Sequence, residues 1–180
     1  MNKLISVFGL AGFLMFAQNA VAAEDLPALE QMLIERDCIK LENEYAAGLD
    51  NFDADQFANV FSETATMDLF QNNFPGSTLP HHLTGGRKAM HAYMIQRGVG
   101  PARVGKPKTI HLITNVQVKV IDRDHAESTG YEVMFRWNPD KPETITSLAP
   151  VLWGASATRY VRTDEGWKIQ ARTLRAIGPL

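Results

Sequence analysis

Cysteine is nearly missing from this chain: Cys38 is the only one among 180 residues. No internal disulfide can form, whatever the compartment. Cys38 falls at an apolar position of a helical pattern, which reads as a buried structural thiol rather than a reactive one. Basic runs are missing as well. The chain has 18 Lys and Arg against 20 Asp and Glu, a formal net charge of −2, which argues against nucleic acid as the main partner. Repeats and low-complexity tracts are absent. Metal-ligand spacing is also lacking. His81 and His82 are adjacent on a proline-flanked loop, with His91 nearby, and no cysteine pair supports them, so neither a metal nor a cofactor is expected. Gly85-Gly86-Arg87-Lys88 does not have the spacing of a phosphate loop. Gly154-Ala155-Ser156-Ala157-Thr158 lacks the second glycine of a nucleophile elbow and falls in a strand pattern, which excludes a serine esterase.

Only one long apolar run occurs, and it opens the chain. Lys3, the apolar stretch Leu4 to Phe16 and the small residues Ala20-Val21-Ala22-Ala23 have the layout of an export signal, residues 1–23, cleaved after Ala22 or Ala23. The apolar core is shorter than the ~20 residues of a comfortable membrane span. Residues 24–180 are then expected to form a single soluble domain, periplasmic or secreted, with no stable membrane span.

Apolar residues at Leu26, Leu29, Leu33, Ile34, Cys38, Leu41, Tyr45 and Leu49 keep helical spacing and predict a long helix over Leu26 to Leu49, which Gly48 helps to stop. Asp53 and Gln56 have capping-box spacing before a short helix over Ala54 to Phe61. Thr64 to Phe70 predicts a strand, Asn72 to Pro80 a turn-rich loop, Arg87 to Arg97 a third helix, and Val99 to Lys108 a connector. Strands follow over Thr109 to Ile121, His125 to Trp137, Leu152 to Arg162 and Trp167 to Arg175, with a crossing loop over Pro139 to Pro150. Helices first and long antiparallel strands after them predict an α+β domain, with the helices on one face of a curved sheet and room between for a small ligand.

Five pieces in this order resemble a known family: YAAGLDNFDADQFANVF, GGRKAM, IHLITNVQV, DRDHAESTGYEV and RYVRTDEGWKIQAR. Together they are similar to the SnoaL-like branch of the nuclear transport factor 2-like superfamily, over about Leu33 to Arg175. The resemblance implies a cone: a bent antiparallel sheet wrapped around the long N-terminal helix. It also implies homo-oligomers that associate through the outer sheet face. Within the branch the chain resembles the scytalone and bile-acid dehydratases. In the bile-acid enzyme a helix Tyr, an Asp five residues later and a strand His are catalytic, and Tyr45, Asp50 and His111 stand at those positions. The chain departs from the pattern at three places. Leu49 replaces the Tyr that precedes the Asp in scytalone dehydratase, Glu132 replaces that enzyme's second His, and Met134 falls where the bile-acid enzyme has a further acid.

The chemistry of the three residues agrees with this resemblance. Loss of water beside a carbonyl needs a base for the α-proton, which an imidazole supplies. A carboxylate on the other ring nitrogen fixes its tautomer, and a phenol can donate to the oxygen that gains charge. The expected activity is a cofactor-free lyase or isomerase acting on a small hydrophobic, cyclic hydroxy-carbonyl compound. The alternative is a binding or oligomerisation module without chemistry. Glu132, Met134, Trp153 and Phe70 are the candidate substrate contacts. Glu132 reads either as pocket lining or as a solvated strand residue, while Arg172 and Arg175 read as surface salt-bridge partners ahead of the alternative, contact with an anionic substrate group. Strict alternation over Ile110 to Val120 would turn His111 away from the apolar face, so a β-bulge is expected near Thr114-Asn115.

Overall fold

A computed structural model of the chain describes residues 25–70, 82–98, 108–137 and 152–176, with only the backbone of Phe70, Arg136, Trp137, Leu152, Trp153 and Ala176. The proposed export signal and the loops read over Asn72 to Pro80 and Pro139 to Pro150 lie outside the described residues, as does the connector from Val99 up to Lys108. Among the described residues three helices, α1 (Ala28–Asn51), α2 (Ala54–Asn59) and α3 (Gly86–Arg97), accompany six strands: β1 (Phe61–Phe70), β2 (His82–Leu83), β3 (Lys108–Val120), β4 (His125–Trp137), β5 (Leu152–Thr163) and β6 (Gly166–Ala176). The two-residue strand β2 is too short for periodicity to reveal.

Of the predicted apolar stripe, α1 buries Ile34, Cys38, Leu41, Tyr45 and Leu49, while Leu29 and Leu33 are exposed, and the helix packs on β3 and β6. Burial and the neighbouring carboxylates push the Cys38 thiol up to about 12, so it stays protonated and inert. The helix does not stop at Gly48. It runs to Asn51 and ends where Phe52 takes a left-handed conformation and its N–H reaches the carbonyls of Gly48 and Leu49. Gly48 serves packing instead: a Cβ there would lie 2.6 Å from the backbone nitrogen of Phe57 on α2. Asp53 does cap α2, accepting the Gln56 N–H at 2.9 Å.

The strands form one sheet in the order β2-β1-β6-β5-β4-β3. All neighbours are antiparallel except β1 and β6, which run parallel, a departure from the fully antiparallel sheet expected. Among the described residues β2 and β3 are the edges, and the bent sheet does not close. Register shifts within β1–β6, β3–β4 and β5–β6 interrupt the ladder, and such bulges increase local bend and twist.

The β3 bulge falls where the hydrophobic pattern requires it. Thr114 pairs with Tyr131 and Gln117 with Thr129, so Asn115 and Val116 together oppose Gly130. Asn115 takes a φ of 53°, and the missing side chain at Gly130 leaves space that a Cβ would fill at 3.3 Å from the Thr114 carbonyl. Before the bulge Thr109 and His111 are buried while Ile110 and Leu112 are exposed; after it Val116, Val118 and Val120 turn inward.

Replacing Gly48 by Ala forces α1 and α2 apart. The substitution is expected to destabilise the fold by about 1–3 kcal/mol, outweighing the ~1 kcal/mol that alanine gains over glycine in a helix. The urea midpoint measures the difference, and an unchanged or higher midpoint contradicts the close approach.

Candidate active site

The last turn of α1 delivers a carboxylate to the start of β3. Asp50 accepts the backbone N–H of His111 at 3.1 and 3.0 Å through its two oxygens, and its Oδ1 lies 2.6 Å from His111 Nδ1. The His111 side chain is almost fully buried, at 4% exposure, and that of Asp50 is 22% exposed. A carboxylate accepts hydrogen bonds, so Nδ1 must carry a hydrogen, and in the neutral form of the ring Nε2 is the nitrogen left to act as a base. Asp50 therefore orients the ring and also satisfies a backbone donor that the edge strand would otherwise leave unpaired.

Met134 lies directly opposite His111 in the β3–β4 ladder, and Glu132 lies opposite Ile113. Both face inward and are buried, so Glu132 is not a solvated strand residue. Phe70 pairs with Arg175 and Trp153 with Val133 through the backbone, and their side chains lie outside the described residues.

Tyr45 enters a different set of contacts. Five residues before Asp50, it sits about 7.5 Å back along the helix, buried between Phe57 and Phe61 with ring centroids 5.3 and 6.2 Å away. The Arg172 guanidinium carbon is 4.0 Å from its ring centroid. Burial, followed by the charge of Glu132, pushes the phenol far above its ordinary range, and Arg172 opposes them only in part. Tyr45 thus remains a neutral hydrogen-bond donor.

Arg172 is not a surface residue; its side chain is wholly buried. Nη1 donates to Glu42 at 2.6 Å and to Thr158 Oγ1 at 2.9 Å, and Nη2 donates to Glu132 at 3.0 Å. Burial works against the guanidinium charge, but Glu42, Tyr45 and Glu132 outweigh it and hold Arg172 well above its usual value. Tyr160 donates to the other Glu42 oxygen at 2.5 Å and is 2.7 Å from the Ser128 hydroxyl. Two carboxylates on one guanidinium leave no net positive charge for an anionic ligand. Among the described residues, the buried atoms without a hydrogen-bond partner are Thr109 Oγ1 and Arg172 Nε. Arg175, by contrast, is exposed and lines a groove on the outer sheet face.

Glu42 escaped the sequence reading, although it lies three residues before Tyr45 and four after Cys38, on the buried face of the helix. A charge within an apolar stripe was the available signal. Arg172 was misplaced because a register shift between Arg159 and Tyr160 reverses the parity of β6 near Gln170, bringing Ile169 and Arg172 to the same inner face. Among the described residues, no group of three or more His, Cys, Asp or Glu could hold a metal ion.

The model of the SnoaL-like domain matches residues 30–173, a span that includes α1 from Glu30 onward, the whole of β3 and Arg172. The chain belongs to the SnoaL-like domain family. No curated protein matches it. Among solved structures, this SnoaL-like chain is similar to a candidate scytalone dehydratase from Novosphingobium aromaticivorans, with a TM-score of 0.63, 17% identity and coverage of 84% of this chain and 89% of the other. An NTF2-like protein with a cystatin-like fold from the same organism gives 0.62 at 19% identity, over 86% and 90%. Aln2 from a Streptomyces species gives 0.62 at 15% identity, over 84% and 93%. At these identities the likeness establishes the fold, an α+β nuclear transport factor 2-like architecture.

The Asp50 contacts predict a specific tautomer. Long-range nitrogen–proton NMR should find neutral His111 protonated at Nδ1, and Asp50→Ala should remove that preference. The same substitution leaves the His111 N–H unpaired and should cost about 1–3 kcal/mol of stability. A Nε2-protonated ring in the unmodified protein contradicts the geometry.

Proposed function

We propose that this chain is a cofactor-free dehydratase or isomerase acting on a small, hydrophobic, cyclic hydroxy-carbonyl compound. The observation that carries the reading is the Asp50–His111 contact, an imidazole oriented by a carboxylate with its other nitrogen available as a base. In this mechanism His111 Nε2 takes the proton from the carbon between the carbonyl and the hydroxyl-bearing carbon. The released electron pair moves onto the carbonyl oxygen, where Tyr45 donates a hydrogen bond to the developing enolate. The enolate collapses to a carbon–carbon double bond as the carbon–oxygen bond breaks. The departing hydroxyl collects the proton held on His111 and leaves as water, which returns the imidazole to its starting state. Met134, opposite His111, would supply an apolar contact to the ring of the substrate, with Glu132, Phe70 and Trp153 as further candidate contacts.

We also propose that the protein is exported to the periplasm or beyond the cell after loss of residues 1–23 and works as a homo-oligomer. Support for export is the Lys3, Leu4 to Phe16 and Ala20 to Ala23 pattern. Support for association is the exposure of Ile110, Leu112 and Tyr131, each between 42% and 49%, on the outer face of β3 and β4. Among the described residues no helix is long and apolar enough to cross a membrane. Mass spectrometry of protein recovered from a bacterial host tests both points. The denatured mass should correspond to a chain lacking 22 or 23 residues, and the native mass to a multiple of it. A full-length monomer overturns both.

A β-hydroxytetralone, whose dehydration yields a naphthol, is a direct probe of the reaction. His111→Ala should lower its turnover about 10²–10⁴-fold, Tyr45→Phe should lower it about 10²-fold, and Asp50→Asn should lower it as well. Unchanged rates in His111→Ala and Asp50→Asn reject the assignment. Saturable binding across a panel of such ketones without consumption favours the non-catalytic binding module instead.

A further inference from the structure

We infer that Arg172 is a positioning residue, held by Glu42 and Glu132 so as to fix the Tyr45 phenol for the reaction proposed above, on which this inference rests. Tyr45 is carried by α1 and Arg172 by β6, and the guanidinium lies 4.0 Å from the centroid of the tyrosine ring. A cation over an aromatic face is attracted to the π-electrons, the more so out of water. The guanidinium has little freedom of its own. Glu42 holds Nη1 from the helix, Thr158 holds the same nitrogen from β5, and Glu132 holds Nη2 from β4. Three elements thus set the plane that lies against the phenol.

The placement of Glu42 explains how this comes about. It precedes Tyr45 by three residues, so the helix presents the acid and the ring side by side. The acid that draws Arg172 inward also brings it over the ring. Phe57 and Phe61 border Tyr45 elsewhere, leaving few alternative rotamers for it. Arg172 has an electrostatic effect as well. Burial and Glu132 both disfavour charge on the phenol oxygen, and the guanidinium is the nearby group that counters them. Without it the phenol would be a poorer donor to an oxygen that gains negative charge in the transition state. An anion-binding role does not fit, because two carboxylates already answer the single cation.

The test separates positioning from simple structural support. The four tyrosines are replaced by 3-fluorotyrosine, and the Tyr45 fluorine line is identified by its loss in Tyr45→Phe. Two variants are compared: Arg172→Lys, which keeps the charge but not the fork, and the charge-balanced triple Glu42→Gln, Glu132→Gln, Arg172→Met. The triple variant covers the case in which a lone buried charge prevents folding, and circular dichroism verifies that each variant folds. Both variants should displace and broaden the Tyr45 line and leave that of exposed Tyr131 in place. With the β-hydroxytetralone, Arg172→Lys should lower kcat and kcat/KM together by about 10²-fold, the mark of an interaction realised in the transition state. Adding Arg172→Lys to Tyr45→Phe should cause no further loss, since both changes remove the same interaction. A Tyr45 line that stays put in the folded variants, or losses that multiply in the double variant, overturn the inference. Full turnover in His111→Ala would instead sink the reaction, while the fluorine spectrum still decides whether Arg172 holds the ring.

Discussion

One buried guanidinium governs how the long helix lies on the sheet. Arg172 from β6 meets Glu42 from α1, Thr158 from β5 and Glu132 from β4, so four elements converge on a single planar group. A cluster of this kind is no stronger than the apolar packing that could replace it, because desolvation consumes most of the Coulomb energy. Its effect lies in discrimination. Sliding α1 by one turn would leave a buried carboxylate or the guanidinium without its partner, at a cost of about 3–5 kcal/mol. Apolar contacts between α1 and the sheet tolerate such a slip far better, since the hydrophobic effect has no direction.

The helix position set in this way at Glu42 controls the site at Asp50, eight residues further on. Asp50 reaches β3 only because α1 continues past Gly48 to Asn51, and Gly48 in turn lets α2 pack close enough to continue the chain. The bulge at Asn115 does the complementary work on the strand. It places His111 and Val116, of opposite parity in sequence, on the same inner face, opposite the gap left by Gly130. Asp50 and His111 meet because two local irregularities, one at the helix end and one in the edge strand, agree in direction.

The interior is thus divided by chemistry. Near the start of β3 lies a hydrogen-bonded imidazole–carboxylate pair, and its Asp50 side keeps contact with solvent. Deeper along α1 lie Tyr45, Arg172 and two glutamates, where burial keeps the phenol protonated. One end is suited to moving a proton, and the other holds a donor that keeps its own. The outer face of the sheet differs again, with exposed apolar residues on β3 and β4 and grooves of about 650 and 620 Å³ lined in part by Ala155, Ala157 and Thr173.

Helical spacing, the Asp53 cap and the alternating strands determined the order of the elements other than β2 from sequence alone, because each is set by neighbours within a few residues. The family pattern singled out Asp50 and His111, and the conflict of parity around His111 was enough to locate the bulge. Sequence did not disclose that β1 pairs in parallel with β6, that Glu42 belongs to the buried face as a charge, or that Arg172 is internal. Those outcomes depend on partners 40 to 130 positions apart in the chain. Burying a charge is tolerable only where a distant partner meets it, so the choice between a surface arginine and a central one belongs to the tertiary structure.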